Sequence, residues 1–264
     1  MGATLGLIGG GGSILTVPIL VYLLGVDPVA ASGYSLFTVG LTALVGGLGY
    51  VRRGLVDWTA TWLFGVPSIA GVYLVRAYGV PALPDSFALA GFDVTKGQLI
   101  MLVFAALMVA ASLSMILADR LPTGKKRAGG EAPPKVSLAK LPILALEGLV
   151  VGGVTGFVGA GGGFLVVPAL IFLLGLPVRT AIGTSLFVIA LKSLLGFTGE
   201  IQSAATLDWP LLLAFSGLAV GGILGGVEIN RRIPAEGLKP LFGWFVLAMA
   251  AVILFQELSG PAGV

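Results

Sequence analysis

Cysteine and histidine are both absent from this 264-residue chain. Their absence excludes disulfides, haem ligation, thiolate or imidazole metal sites and the usual nucleophile–base pairs. Charge is scarce as well: 10% of residues are charged, against roughly 25% in a soluble domain. No polar stretch is long enough to hold a sizeable soluble domain. Met1 runs straight into apolar sequence without a basic leader, so a removable signal peptide is not expected.

Hydrophobic residues make up 57% of the chain, and the mean hydropathy is +1.06. Apolar runs lie at about 1–24, 29–51, 58–79, 97–118, 141–174, 178–199, 209–228 and 238–256, and most are long enough to span hydrocarbon as helices. The expected class is therefore an all-α integral membrane protein in a lipid bilayer. The formal charge of +3 comes mainly from basic loops and reads as orientation information, not as affinity for nucleic acid.

A polar stretch from Asp119 to Lys140 holds six basic and two acidic residues with Pro and Gly, and reads as a linker between 1–118 and 141–258. These two segments resemble each other. "GLIGGGGSILTVPILVYLLG" from Gly6 aligns at an offset of 150 with "GFVGAGGGFLVVPALIFLLG" from Gly156. "GYSLF" from Gly33 falls on "GTSLF" from Gly183, and "VDW" from Val56 on "LDW" from Leu207 with one residue of slippage. Shared Pro18 and Pro168, Ser35 and Ser185, and Trp58 and Trp209 argue for two homologous repeats, a pattern typical of secondary transporters. Met1 corresponds to Val151, so the first copy lacks the apolar stretch 141–150; either it is short there or its start lies upstream.

Basic residues favour the cytoplasmic side. If the stretch 141–174 reverses direction at Gly159 to Gly163, then Arg52 with Arg53, the 119–140 linker and Arg231 with Arg232 all lie inside. Glu200 and Asp208 then lie outside, and the repeats are inverted.

Gly9 to Gly12, and Gly159 with Gly161 to Gly163, interrupt apolar segments where helix would otherwise continue. A break at membrane depth exposes backbone N–H groups, and a helix restarting at Ser13 or Phe164 offers partial positive charge to an anion. Close helix packing is the alternative use of these glycines. A dinucleotide fingerprint is excluded by spacing and by the absence of a soluble strand–turn–helix context. Gly217, Gly221 and Gly225, at GxxxG spacing, read as helix packing.

The site residues expected from this pattern are Gly10, Gly11, Gly12 and Ser13 in the first half, and Gly161, Gly162 and Gly163 in the second. Ser35, Thr184 and Ser185 join them as hydroxyl donors, each of which could instead bond its own helix backbone. Lys192 reads as the one basic residue well inside an apolar segment and as the countercharge. Alternatively it snorkels to the interface or pairs with Glu147 or Glu200. Those two acids are the candidates for carrying a coupling proton. Thr42 aligns with Lys192, so the half-sites differ in charge.

With these residues assembled, the sequence resembles the sulfite exporter TauE/SafE family of membrane permeases. The resemblance rests on "GFVGAGGGFLVVPALIFLLGLPVRTAIGTSLFVIALKSLLG" from Gly156 to Gly196, its echo from Gly6, the "LDW" triplet and the closing "GGILGGVEINRRIP". It implies secondary transport of a small sulfur-containing anion, such as sulfite or a sulfonate, across the cell membrane, with no cofactor and no enzymatic activity. An anion channel and a non-transporting membrane scaffold stay open as alternatives, as does homo-oligomerisation.

Overall fold

The computed structural model describes residues 1–8, 10–89, 92–117, 141–203, 207–230 and 238–259. The 119–140 linker and the pair Arg231 and Arg232 lie outside the described residues, as does Gly9. The chain opens with α1 (Gly2–Ile8), a 3-10 turn (Gly10–Leu15), a short α2 (Thr16–Pro18) and a wide helical turn (Ile19–Leu23). Then come α3 (Pro28–Val51) and α4 (Trp58–Leu74), which continues through a wide turn (Val75–Gly79) into α5 (Val80–Ala82). An antiparallel hairpin of β1 (Ser86–Leu89) and β2 (Phe92–Thr95) precedes α6 (Lys96–Leu117). The second half holds α7 (Leu141–Val158), α8 (Gly163–Leu174), α9 (Val178–Ser203), α10 (Trp209–Asn230) and α11 (Leu238–Ser259). The protein is an all-α membrane protein carrying one small hairpin, which the apolar pattern of the sequence does not announce.

Among the described residues, five helical stretches are long and apolar enough to cross a bilayer: Pro28–Val51, Trp58–Ala82, Lys96–Ser114, Val178–Ile201 and Trp209–Gly226. Gly12–Leu23, Pro142–Val158 and Gly243–Ser259 are shorter apolar helices. Helical structure suits such sequence because hydrocarbon leaves every backbone N–H and C=O to be satisfied internally. The helix starts are marked by acids. Asp27 accepts from the N–H groups of Val29 (2.9 Å) and Ala30 (3.1 Å), with Pro28 in the first helical position. Asp57 accepts from Ala60 N (2.9 Å), and Asp208 from Leu211 N (3.0 Å). Each side chain satisfies N–H groups that have no partner within the helix.

Glycines set how the helices cross. On α3, Gly33 faces Glu200, Gly40 faces Leu194 and Gly47 faces Phe187, so α3 and α9 run antiparallel. On α7, Gly148 approaches Phe64 and Ser68, Gly152 meets the Ser68 carbonyl, and Gly156 meets Val72, so α7 runs parallel to α4. Gly65 lies near Val188 and Gly196 against Val72, which makes α9 parallel to α4 as well. Since α7 and α9 point the same way, α8 between them runs back.

The expected packing stripe on α10 is displaced by one residue. Gly217, Gly221 and Gly225 have open space around the position of an added Cβ, whereas Gly222 and Gly226 lie against Gly2 and Ala3 of α1. Both sets share GxxxG spacing. Spacing alone does not say which of two adjacent faces meets a neighbouring helix.

Candidate functional site

The interruption in the second half is sharp. α7 ends at Val158, α8 begins at Gly163, and Gly159, Gly161 and Gly162 take φ values of +76°, +65° and +71°. At Gly159 and Gly162 an L side chain is disfavoured by the angle and also has no room. A Cβ on Gly159 would run into the Ser32 carbonyl, and one on Gly162 into the Thr155 methyl, 3.0 Å from Lys192 Nζ.

A helix that stops inside a protein leaves its last carbonyls without partners. Here the surroundings supply them. Thr155 O accepts the Gly159 N–H at 2.9 Å, Gly156 O accepts Arg76 Nε at 2.6 Å, and Gly159 O accepts the Ser35 hydroxyl. Cationic and hydroxyl donors at a helix C-terminus also oppose its partial negative charge. On the other side of the break, the N–H groups of Gly163 and Phe164, which begin α8, donate to no backbone carbonyl among the described residues.

Lys192 is fully buried, and its Nζ donates to Thr155 Oγ1 at 2.7 Å. Its depth follows from the helix register. Gly161 packs on Val39 and Ile189, which stand near the middle residues of the spans Pro28–Val51 and Val178–Ile201. Lys192 is three residues beyond Ile189, about 4.5 Å along the axis. The Lys192 Nζ is thus at the centre of the helical bundle and does not snorkel.

The structure gathers Gly161, Gly162, Gly163, Ser35 and Lys192 at one place. The 3-10 turn carrying Gly10, Gly11, Gly12 and Ser13 packs against α8 and α9. The chain does not restart there as an α-helix at Ser13; α2 begins at Thr16. Gly12 lies against Leu5, and Ser13 is fully buried with its carbonyl accepting from Thr16 Oγ1 at 3.0 Å. Thr184 and Ser185 stand elsewhere. Thr184 Oγ1 accepts the Asp57 N–H at 2.9 Å, tying α9 to the start of α4. Ser185 donates to the Ile182 carbonyl one turn back, at 2.8 Å. Glu147 is partly exposed on α7, two turns before Thr155.

Two expectations need correcting. Lys192 is not the one basic residue deep in an apolar segment: Arg76 is 0% exposed, and its Nη1 pairs with Glu200 Oε2 at 2.9 Å. Glu200, expected just beyond the apolar run that ends at 199 and as an alternative partner of Lys192, lies within α9, 6% exposed, and is engaged by Arg76. The cost of burying charge in an apolar segment singles out Arg76 in "VYLVRAYG" as readily as Lys192. Thr155, the hydroxyl that holds the ammonium, had a weaker signal as a polar residue between the glycines of "GGVTGFVG". Ser68 Oγ, Ser193 Oγ and Arg76 Nη2 are buried without a hydrogen-bond partner among the described residues. The parallel register of α4 and α9 puts Ser68 level with Lys192 and Ser193.

An all-α membrane protein whose α7 and α8 reverse direction beside a buried lysine fits the class of membrane transporters. The comparisons agree: the family model described as "Sulfite exporter TauE/SafE" matches residues 1–253. The chain belongs to the sulfite exporter TauE/SafE family. It is 30% identical over 263 residues to a probable membrane transporter protein of Xylella fastidiosa (strain 9a5c), covering 97% of this chain and 92% of that one. To the probable membrane transporter protein YunE of Bacillus subtilis (strain 168) it is 27% identical over 270 residues, covering 95% and 92%. No solved structure matches the chain.

Proposed function

We propose that the protein is a secondary transporter of small sulfur-containing anions, such as sulfite or organosulfonates, working by alternating access in the cytoplasmic membrane. The observation that carries this reading is the fully buried Lys192 side chain beside the Gly159–Gly162 break. An ammonium at that depth is costly unless it serves a ligand or a proton. The N–H groups at the start of α8, which meet no backbone carbonyl among the described residues, add donors of the kind that hold an oxyanion, and the Ser35 hydroxyl lies within the same break. The family's description as sulfite exporters supports a sulfur oxyanion as cargo, and membership of a transporter family supports a carrier over an enzyme.

The antiparallel crossing of α3 and α9, which hold the aligned "SLF" triplets, supports reading 1–118 and 141–258 as inverted repeats. Other packings fit a two-fold relation: α1 lies on α10 as α7 lies on α4, and α10 touches α3 as α4 touches α9. The charged half-site is the second one, since Thr42 stands where Lys192 would be and its hydroxyl bonds the Thr38 carbonyl at 2.6 Å.

Purified protein in proteoliposomes, loaded with labelled sulfite or a short alkylsulfonate, gives the test. Saturable flux, competed by the other sulfur oxyanions, is expected. Folded protein that moves none of them would sink the reading.

A further inference from the structure

Among the described residues, the buried charged side chains are Arg76, Lys192 and Glu200. Arg76 and Glu200 neutralise each other at 2.9 Å. Lys192 has no carboxylate within ion-pair distance among the described residues; its partner is the neutral Thr155 hydroxyl. The elements around it offer little else. α3, α8 and the segment Gly10–Leu23 contain no Asp, Glu, Lys or Arg. The titratable groups there are tyrosines: Tyr34 and Tyr50 near the ends of α3, and Tyr22. α4 contributes Tyr73 and the Asp57 cap at its start, and the wide turn Val75–Gly79 that continues it contributes Arg76, already paired. α7 contributes the partly exposed Glu147, and α9 contributes Glu200 two turns on, about 12 Å along the axis, and Arg179 at its start.

Arg76 and Glu200 form a pair, so Lys192 is the buried charge left without a countercharge among the described residues. From this we infer that Lys192 couples transport to protons: it is a neutral amine in the empty carrier and takes up one proton for each monovalent anion that binds. The proton comes from water on the side where the anion enters, forms the ammonium that faces the anion, and returns to water as the anion leaves. This rests on the functional reading above and gives its cargo a charge, that of a sulfonate or bisulfite.

The coupling rule follows from charge burial. The empty carrier with a neutral amine and the loaded carrier with ammonium and anion both hold no net charge in the core. Ammonium without anion, or anion without ammonium, leaves one uncompensated charge in a low-dielectric interior, which is strongly disfavoured. The two permitted states can reorient and the two leak states cannot. Transport is then electroneutral, one proton with one anion. Glu147 and Glu200 are not required as carriers of that proton.

Ethanesulfonate serves as probe, because it stays a monoanion across the working pH range and cannot bring the proton itself. Calorimetric titration of wild-type protein at alkaline pH, in two buffers of different ionisation enthalpy, is expected to show one proton taken up per anion bound. Affinity should fall about tenfold per pH unit on the alkaline limb. In proteoliposomes, an inward acid gradient should drive uptake, and an imposed potential at fixed pH should leave the rate unchanged. Lys192→Arg, which keeps the charge permanently, should still exchange internal for external anion but lose net uptake. Binding without proton uptake, or sulfonate flux that carries current, overturns the inference and leaves the transporter reading standing. Absence of binding and flux for ethanesulfonate and sulfite alike in folded protein overturns both. The wild-type proton count decides the matter alone if the variant does not fold.

Discussion

The side chains around the break each do something that a substitution can isolate. Arg76 donates to Glu200 and to the Gly156 carbonyl while fully buried, so Arg76→Leu removes the countercharge of a buried carboxylate and the donor to a helix-end carbonyl. Removing one member of a buried pair costs about 3–5 kcal/mol. Glu200→Gln should be milder, because an amide oxygen can still accept from the guanidinium. A combined Arg76→Leu and Glu200→Leu variant should recover part of the loss, as replacing both partners removes the uncompensated charge. Thermal unfolding in detergent, followed on all four proteins, checks the order. Ser35→Ala should cost about 1–2 kcal/mol through the orphaned Gly159 carbonyl, whereas Ser185→Ala removes a local bond within its own helix and should fall within about 0.5 kcal/mol of wild type. The site was half legible in the sequence at this scale. Lys192 stood out because charge is conspicuous in an apolar run, and Arg76 carried the same signal. The partners Thr155 and Gly156 could not be read, since which hydroxyl or carbonyl meets a cation depends on how α4, α7 and α9 cross.

Elements were better announced than their contacts. Apolar length fixed the helices to within a few residues, and the glycine cluster at Gly159–Gly163 marked the break between α7 and α8, because no run of apolar side chains continues through it. What periodicity could not convey was which glycine face of α10 is covered. A substitution pair separates the two adjacent stripes. Gly226→Ala would push a Cβ into the backbone of Ala3, whereas Gly225→Ala meets open space within the chain. A displaced α1 should cost about 1–3 kcal/mol. Gly225→Ala should be neutral or stabilise by up to about 1 kcal/mol, since alanine is the better helix former. The break itself is tested by Gly162→Ala, which combines a positive φ with a clash against Thr155 beside Lys192. It is expected to lose at least about 2 kcal/mol and to weaken anion binding together with stability. Gly25→Ala, also at positive φ but in open space, should lose about 1 kcal/mol and leave binding intact. That contrast distinguishes backbone strain in general from strain at the site.

On the scale of the whole molecule, helix directions assign the ends of the bundle. Leu55 lies against Gly183, so the α3–α4 loop, with Arg52 and Arg53, shares one end with the start of α9 and its Arg179. Tyr34 accepts the Asp208 N–H at 2.7 Å, which puts the start of α3 at the opposite end with the start of α10. Since α4 runs parallel to α9, it delivers the hairpin and its Asp85–Lys96 pair, 3.1 Å apart, to that same opposite end. By the positive-inside rule the end with Arg52, Arg53 and Arg179 is expected to be cytoplasmic. The chain contains no cysteine, so single cysteines introduced at Arg53, Arg179, Asp85 and Asp208 report without background. In intact cells, a membrane-impermeant maleimide should label Asp85→Cys and Asp208→Cys from outside. Arg53→Cys and Arg179→Cys should react only after the membrane is opened. Labelling of Arg179→Cys from outside together with Arg53→Cys from inside would contradict the antiparallel crossing of α3 and α9 and remove the support for inverted halves. A uniformly reversed pattern would keep the crossing and invert the protein in the membrane. In that case a proton and an anion would still travel together through Lys192, but the α9 start would open to the outside, and the direction of net flux under a given acid gradient would be unaffected because coupling at one buried amine has no preferred side.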